Sequence, residues 1–213
     1  MQRHYSALDR FLTEAQNLIN AGSAETHVQH RPSPTYGLSE PELNDSEKQL
    51  SAALMRVNHA GEVAAQGLYL GQSLTAKTEQ TRQQMREAAN EEGDHLHWCA
   101  QRLEELNSHT SYLDPLWYAG SVVIGSLAGK AGDKWSYGFV EETEKQVMHH
   151  LEGHLEKLPE QDKKSRAIIE QMKSDEAEHA AKAKAAGASD LPQPVKTMMS
   201  LTAKVMTFSA RYI

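Results

Sequence analysis

Apolar and weakly polar positions recur every three or four residues over 46–74, so Met55, Asn58, Glu62, Ala65, Gln66 and Tyr69 fall on one stripe of a predicted helix. A glutamate therefore shares a face with residues bound for a core. The same conjunction returns three times. A predicted helix over 79–106 aligns Ala88, Glu92, His95 and Cys99. One over 136–158 aligns Val140, Glu144, Val147, Met148 and Leu151, and is ended by Pro159. One over 160–186 aligns Ile169, Met172, Glu176, His179, Ala180 and Ala183, with Gly187 as its stop. The expectation is an all-α fold built on a four-helix bundle.

Accessory segments flank this pattern. Leu8, Phe11, Leu12, Ala15, Leu18 and Ile19 predict a short amphipathic helix over 5–20. Gly22, Pro32, Pro34, Gly37 and Pro41 then mark an extended linker over 21–45, where no chemistry is expected. The domain reading is a 1–45 helix and linker, followed by 46–213. The stretch 115–129 is uncharged and ends in a charged, Gly-containing break at 130–133. It is shorter than the roughly 20 apolar residues a membrane span needs, and its Gly120, Gly125 and Gly129 suit close helix packing. Over 194–213, Val195, Met198, Met199, Leu201, Val205, Met206 and Phe208 oppose Lys196, Lys204 and Arg211, a composition that suits an interfacial helix. Packing of both segments on the bundle, or at an oligomer interface, is the alternative.

The inward acids make a repeated phrase. Glu92 and His95, then Glu176 and His179, are Glu-x-x-His pairs, each preceded by a lone glutamate on an earlier helix, Glu62 and Glu144. An i, i+3 pair sets a carboxylate and an imidazole side by side on one helix face, and the four-Glu, two-His set is the pattern that holds a pair of iron or manganese ions in a bundle core. Four carboxylates buried without counter-charge would repel and be costly to desolvate, and two divalent cations would balance them. A structural zinc site more often recruits thiolates, and Cys99 is the sole cysteine. Asp175 is the foremost candidate to orient a metal-bound imidazole. His59, His149 and His150 are weaker candidates, and Tyr69 is expected to line a pocket or fill core.

Composition narrows the function. The 213 residues can bury one sizeable core. A net charge of -7 with no concentrated basic footprint argues against a nucleic-acid partner. One cysteine excludes an intrachain disulfide framework, and the opening Met-Gln-Arg-His-Tyr-Ser lacks the apolar core of a secretion signal, so a cytoplasmic setting is expected.

The run Leu54-Met-Arg-Val-Asn-His-Ala-Gly-Glu62, with Leu68-Tyr-Leu-Gly-Gln72, resembles the demethoxyubiquinone hydroxylases of ubiquinone biosynthesis. So do the Glu92/His95 pair in Glu-Glu-Gly-Asp-His-Leu, the Glu144 region ending in His149-His150, and Asp175-Glu-Ala-Glu-His179. Members often carry aspartate where this chain has Asn58, and the first 45 residues resemble only the longer bacterial members. The resemblance implies a ferritin-like monooxygenase that uses dioxygen and two iron ions per chain to hydroxylate the ring of demethoxyubiquinol. Glu62, Glu92 and His95 would serve one iron and Glu144, Glu176 and His179 the other, with bridging roles open. It also implies peripheral residence on the cytoplasmic face of the cell membrane, and a homo-oligomer or a ubiquinone-biosynthesis assembly. Competing readings are another ferritin-like oxygenase or oxidase acting on RNA or lipid, a non-enzymatic iron-storage protein, and a helical interaction protein.

Overall fold

In the computed structural model, residues 31–39 and 41–213 are described. The helix expected over 5–20 lies outside them. The elements are α1 (Asp45–Thr75), α2 (Glu79–Glu105), α3 (Asp114–Ala131), α4 (Asp133–Lys157), α5 (Lys163–Ala185) and α6 (Gln193–Tyr212), and no strand occurs among the described residues. Helices α1, α2, α4 and α5 form the bundle. α3 and α6 lie against α1 on its outer side.

Helix ends follow local hydrogen bonding. Asn44 caps α1 reciprocally with Glu47: Asn44 Oδ1 accepts from Glu47 N at 3.0 Å, and Glu47 Oε2 accepts from Asn44 N at 2.9 Å. α4 begins at Asp133, three residues before the start expected from apolar spacing alone. Asp133 accepts from the backbone N–H groups of Lys77 (2.8 Å) and Thr78 (3.1 Å) and from the Thr81 hydroxyl (2.9 Å). These bonds tie the α3–α4 turn to the α1–α2 turn. Asp162 caps α5 through Ser165 N and receives Arg102 Nη2, each at 2.9 Å.

The bundle core is layered. On each helix the inward glutamate sits seven residues from a buried partner on either side: Met55 and Tyr69 about Glu62, Met85 and Cys99 about Glu92, Tyr137 and Leu151 about Glu144, Ile169 and Ala183 about Glu176. Met55, Cys99, Leu151 and Ile169 belong to one apolar cluster, together with Leu54, Trp98 and Met172. Tyr69, Met85, Tyr137 and Ala183 form another. Two turns of helix carry a side chain back to nearly the same azimuth, so the four glutamates occupy a polar layer between two dry ones.

α1 and α3 approach closely because glycines face each other. A Cβ on Gly71 would lie 2.2 Å from Val122 O, and one on Gly125 2.2 Å from Leu68 O. Gly129 packs on the Thr75 side-chain hydroxyl, with the Gln72 carbonyl 3.1 Å from the position a Cβ would take, whereas Gly120 faces open space. The packing role expected of all three α3 glycines thus falls to Gly125 and Gly129. No helix among the described residues is long and apolar enough to cross a membrane.

Gly125→Leu is expected to lower unfolding free energy by about 2–3 kcal/mol or more, because the added atoms meet backbone rather than a movable side chain. Gly120→Ala should be neutral or stabilising by up to about 1 kcal/mol, since alanine is the better helix former. Urea titrations of both variants check this; equal destabilisation by the two would contradict the close approach.

Candidate metal centre

Six side chains converge at mid-height of the bundle, where helical backbone groups bond one another and only side chains can offer ligand atoms. Their atoms fall into two overlapping groups, Glu62, Glu92, His95 and Glu176, and Glu92, Glu144, Glu176 and His179, each with ligand atoms within 4.8 Å of one another. Every member is buried. Glu92 and Glu176 belong to both groups, Glu62 and Glu144 to one each. The sequence assigns three ligands to each half with bridging roles open; in the fold the pair glutamates are the two residues that lie in both groups.

Each imidazole turns one nitrogen inward and the other outward. His95 Nδ1 lies 2.9 Å from Glu92 Oε2, 3.3 Å from Glu176 Oε1 and 3.6 Å from Glu62 Oε2. His179 Nδ1 lies 3.1 Å from both Glu176 Oε2 and Glu92 Oε1. Outward, His95 Nε2 faces Asp175 Oδ2 at 2.8 Å and His179 Nε2 faces Glu91 Oε2 at 2.6 Å. The outer pairings cross the bundle: the acid preceding each ligand glutamate serves the histidine of the other half. Glu144 accepts from the Tyr69 hydroxyl.

The donor set fits cations. One N–H on His95 Nδ1 can satisfy one of the three carboxylates that face it, whereas a divalent ion can be shared by all of them. Cys99 lies one turn beyond His95, contacts Met172 Sδ at 3.8 Å and stays a thiol, its pKa raised by burial. It belongs to neither group.

Protons respond to the same crowding. Burial, then repulsion from Glu92 and Glu176, drives the Glu62 carboxyl well above its ordinary 4.5, although His95 opposes the rise. Burial and the charges of Glu176 and Glu92 do the same to Glu144. Burial would also raise Glu92, but hydrogen bonds from His179 and His95 outweigh it and hold Glu92 well below the carboxylate range. Burial disfavours charge on both histidines, yet their carboxylate partners prevail: His95 is pushed well above 6.5, and His179 up to about 12.

The remaining candidates separate from the centre. His59 Nδ1 pairs with buried Asp114 Oδ2 at 3.1 Å. His150 packs at a tilt against His154, 4.0 Å between centroids, with burial and Lys157 lowering its pKa to about 4, and His149 is exposed. Sequence reasoning passed over Glu91, Arg31 and Asp94. Glu91 was legible as the counterpart of Asp175, since both directly precede a ligand glutamate. Arg31 lies in the linker where no chemistry was expected. It pairs with Asp94 (Nε to Oδ2, 3.0 Å) and Asp175 (Nη2 to Oδ2, 2.8 Å), which corrects that expectation.

Residues 49–210 match the family described as ubiquinone biosynthesis protein COQ7. The chain belongs to the COQ7 family. Its relatives include proteins named 3-demethoxyubiquinol 3-hydroxylase from Nitrosococcus oceani, 52% identical over 211 residues covering 99% of each chain, and from Coxiella burnetii, 51% identical over 211 residues covering 99% of this chain and 98% of that one. One from Xanthomonas campestris pv. campestris is 50% identical over 204 residues, 96% of this chain and 94% of the relative. The COQ7 match spans all six ligand candidates, and the ferritin-like helical bundle of that family is the fold seen here.

Raised pKa values on Glu62, Glu144, His95 and His179 mean that the metal-free native chain keeps protons the unfolded chain has released. These groups support the metal-free fold below their ordinary values and lose that support as pH rises through the raised ones. Glu92 has the opposite sign, its contribution being present above its ordinary value and lost as pH falls. Cations compete with the retained protons, so ferrous affinity should rise at least about tenfold per pH unit between about pH 5.5 and 8, with proton release on loading. Metal titrations in weak buffer with a pH indicator measure both; a pH-independent affinity would contradict the proton-filled centre.

Proposed function

We propose that the chain is a 3-demethoxyubiquinol 3-hydroxylase, a ring-hydroxylating monooxygenase of ubiquinone biosynthesis that works at two iron ions held by Glu62, Glu92, His95, Glu144, Glu176 and His179. The observation that carries this reading is one buried layer of four carboxylates and two inward imidazoles in a chain that aligns end to end with hydroxylases of that name. Glu92 and Glu176 belong to both ligand groups and would serve both ions, with Glu62 and His95 completing one set and Glu144 and His179 the other. Bound iron supplies the redox chemistry that lets dioxygen attack an aromatic C–H bond.

The protein's own contributions are positional. Asp175 and Glu91 hold the outer imidazole nitrogens, fixing ring orientation and presenting Nδ1 inward. The Tyr69 hydroxyl donates to Glu144, orienting that carboxylate and keeping a proton beside the centre. The apolar layers above and below exclude water, which strengthens each electrostatic contact within. A half-open pocket whose lining includes Ala65, Leu68, Tyr69, Phe139, Val140 and Glu144 reaches the centre from the α1–α4 side, with a volume of about 10 Å³, room for about one water-sized molecule.

The substrate's long apolar tail places the reaction at a membrane, and we assign the chain to the cytoplasmic face as a peripheral protein. Leu116, Val123 and Leu127 of α3 and Met198, Leu201, Val205 and Phe208 of α6 are all more than half exposed. α6 is anchored through buried Ala210, which packs with Val57, Ala60 and Trp117, so its apolar face is held outward. Lying in the interface lets such a face bury area without a spanning helix.

Reduced, iron-loaded protein given demethoxyubiquinol and labelled dioxygen should place label in the quinone ring, and Glu92→Gln should lower that yield at least about 100-fold. Oxygen consumption without ring label, with iron bound, points instead to a ferritin-like oxidase. Separately, serine at Leu201, Val205 and Phe208 together should weaken vesicle binding at least about 100-fold, since each apolar side chain contributes about 1.5–3 kcal/mol when fully buried. Unchanged co-sedimentation of that variant, with iron content intact, would remove α6 from the interface.

A further inference from the structure

The outer supports of the two histidines have the same plan but different surroundings. Asp175, which holds His95, is 13% exposed and also receives Gln171 Nε2 at 2.9 Å and Arg31 Nη2 at 2.8 Å. Arg31 reaches Asp94, the residue preceding His95, through Nε at 3.0 Å and its backbone N at 3.3 Å, and its guanidinium lies 5.0 Å above the Trp98 ring. Trp98 in turn packs on the His95 ring with centroids 5.4 Å apart. Glu91, which holds His179, is 45% exposed, and its other ion pair is to Lys182, 60% exposed and 3.4 Å away.

Asp94 and Asp175 approach from different helices, α2 and α5, and would repel without a cation between them. A guanidinium, with donors fixed in one plane, can join both carboxylates while stacking on an indole, whereas an ammonium offers a point charge and no such plane. These bonds fix the direction of the Asp175 carboxylate, and therefore the ring it holds. Glu91, solvated and paired with a mobile lysine, gives a looser support.

We infer that Arg31, ahead of α1, is a positioning residue for the His95 side of the metal pair, so that the two metal positions are unequal, the His95 side holding its ion more tightly. This rests on the two-metal reading above. It assigns to Arg31 no contact with metal or substrate.

The experiment is chelator competition on iron-loaded full-length protein, followed by Mössbauer spectroscopy at partial loading. Wild type should release two irons in two phases. Arg31→Ala should weaken the tighter phase about 10–100-fold and leave the weaker one in place, the size typical for a lost support of a metal-bound histidine. Glu91→Gln should move only the weaker phase. Arg31→Lys should fall between wild type and alanine, and at half loading the alanine variant should change a single iron environment. Unchanged phases in Arg31→Ala, or both phases weakened equally alongside a lower melting temperature of the metal-free protein, would overturn the inference, the latter by assigning Arg31 to general folding. Wild type that binds fewer than two irons overturns the two-metal reading itself, and the inference with it.

Discussion

Four buried glutamate carboxylates form one layer in two overlapping groups that share Glu92 and Glu176, and within each group the ligand atoms lie within 4.8 Å of one another. At such distances, away from bulk water, mutual repulsion and desolvation each reach several kcal/mol. The architecture is organised around meeting that demand. Two imidazoles face inward, protons are retained on Glu62 and Glu144 in the metal-free protein, and the donor set suits divalent cations. The apolar layers that intensify the repulsion also strengthen the attraction to whatever cation neutralises it. A wetter bundle would tolerate the acids with less strain and bind metal less tightly.

Layering explains how a polar centre coexists with a stable core. Because the neighbours seven residues from each glutamate are apolar or aromatic, every bundle helix is anchored on both sides of the charged layer. α3, inserted in the chain between the two halves, packs on α1 through apposed glycines, with Trp117, Tyr118 and Val122 filling in beside them against Val57, Ala60, Val63 and Leu70. That close contact leaves Leu116, Val123 and Leu127 directed outward, so a feature of helix packing becomes a feature of the surface.

The inner ring of ligands was legible in the sequence because the i, i+3 pair is a local geometric statement that survives without knowledge of the fold. Helix positions were legible to within three residues from apolar spacing, the largest offsets being the starts of α5 and of α4, the latter depending on Asp133 reaching across to the α1–α2 turn. Outer supports are set by contacts between helices and have no local period. Asp175 and Glu91 differ in sequence only by the acid used, yet Glu91 sits within an acidic run and reads as a solvated face. Arg31 was the least legible. It lies among prolines, where no periodicity exists, and its partners are 63 residues away in one case and on the final bundle helix in the other.

The duplication in the sequence bears on this difference in legibility. An acidic residue, a glutamate and a histidine three positions on recur in α2 and α5, and crossed pairing of each outer acid with the opposite histidine gives the centre an approximate two-fold arrangement. On the proposed function, a symmetric centre would present two equivalent metal positions, whereas this one is not symmetric in its surroundings. The asymmetry is introduced outside the repeated phrase. Tyr69 bonds Glu144, with no counterpart described on Glu62, and Arg31 encloses the His95 support while Lys182 only approaches the other. Inner ligands are constrained by metal geometry and cannot diverge far without losing the ion. The groups one contact further out can, so that is where a duplicated site acquires direction.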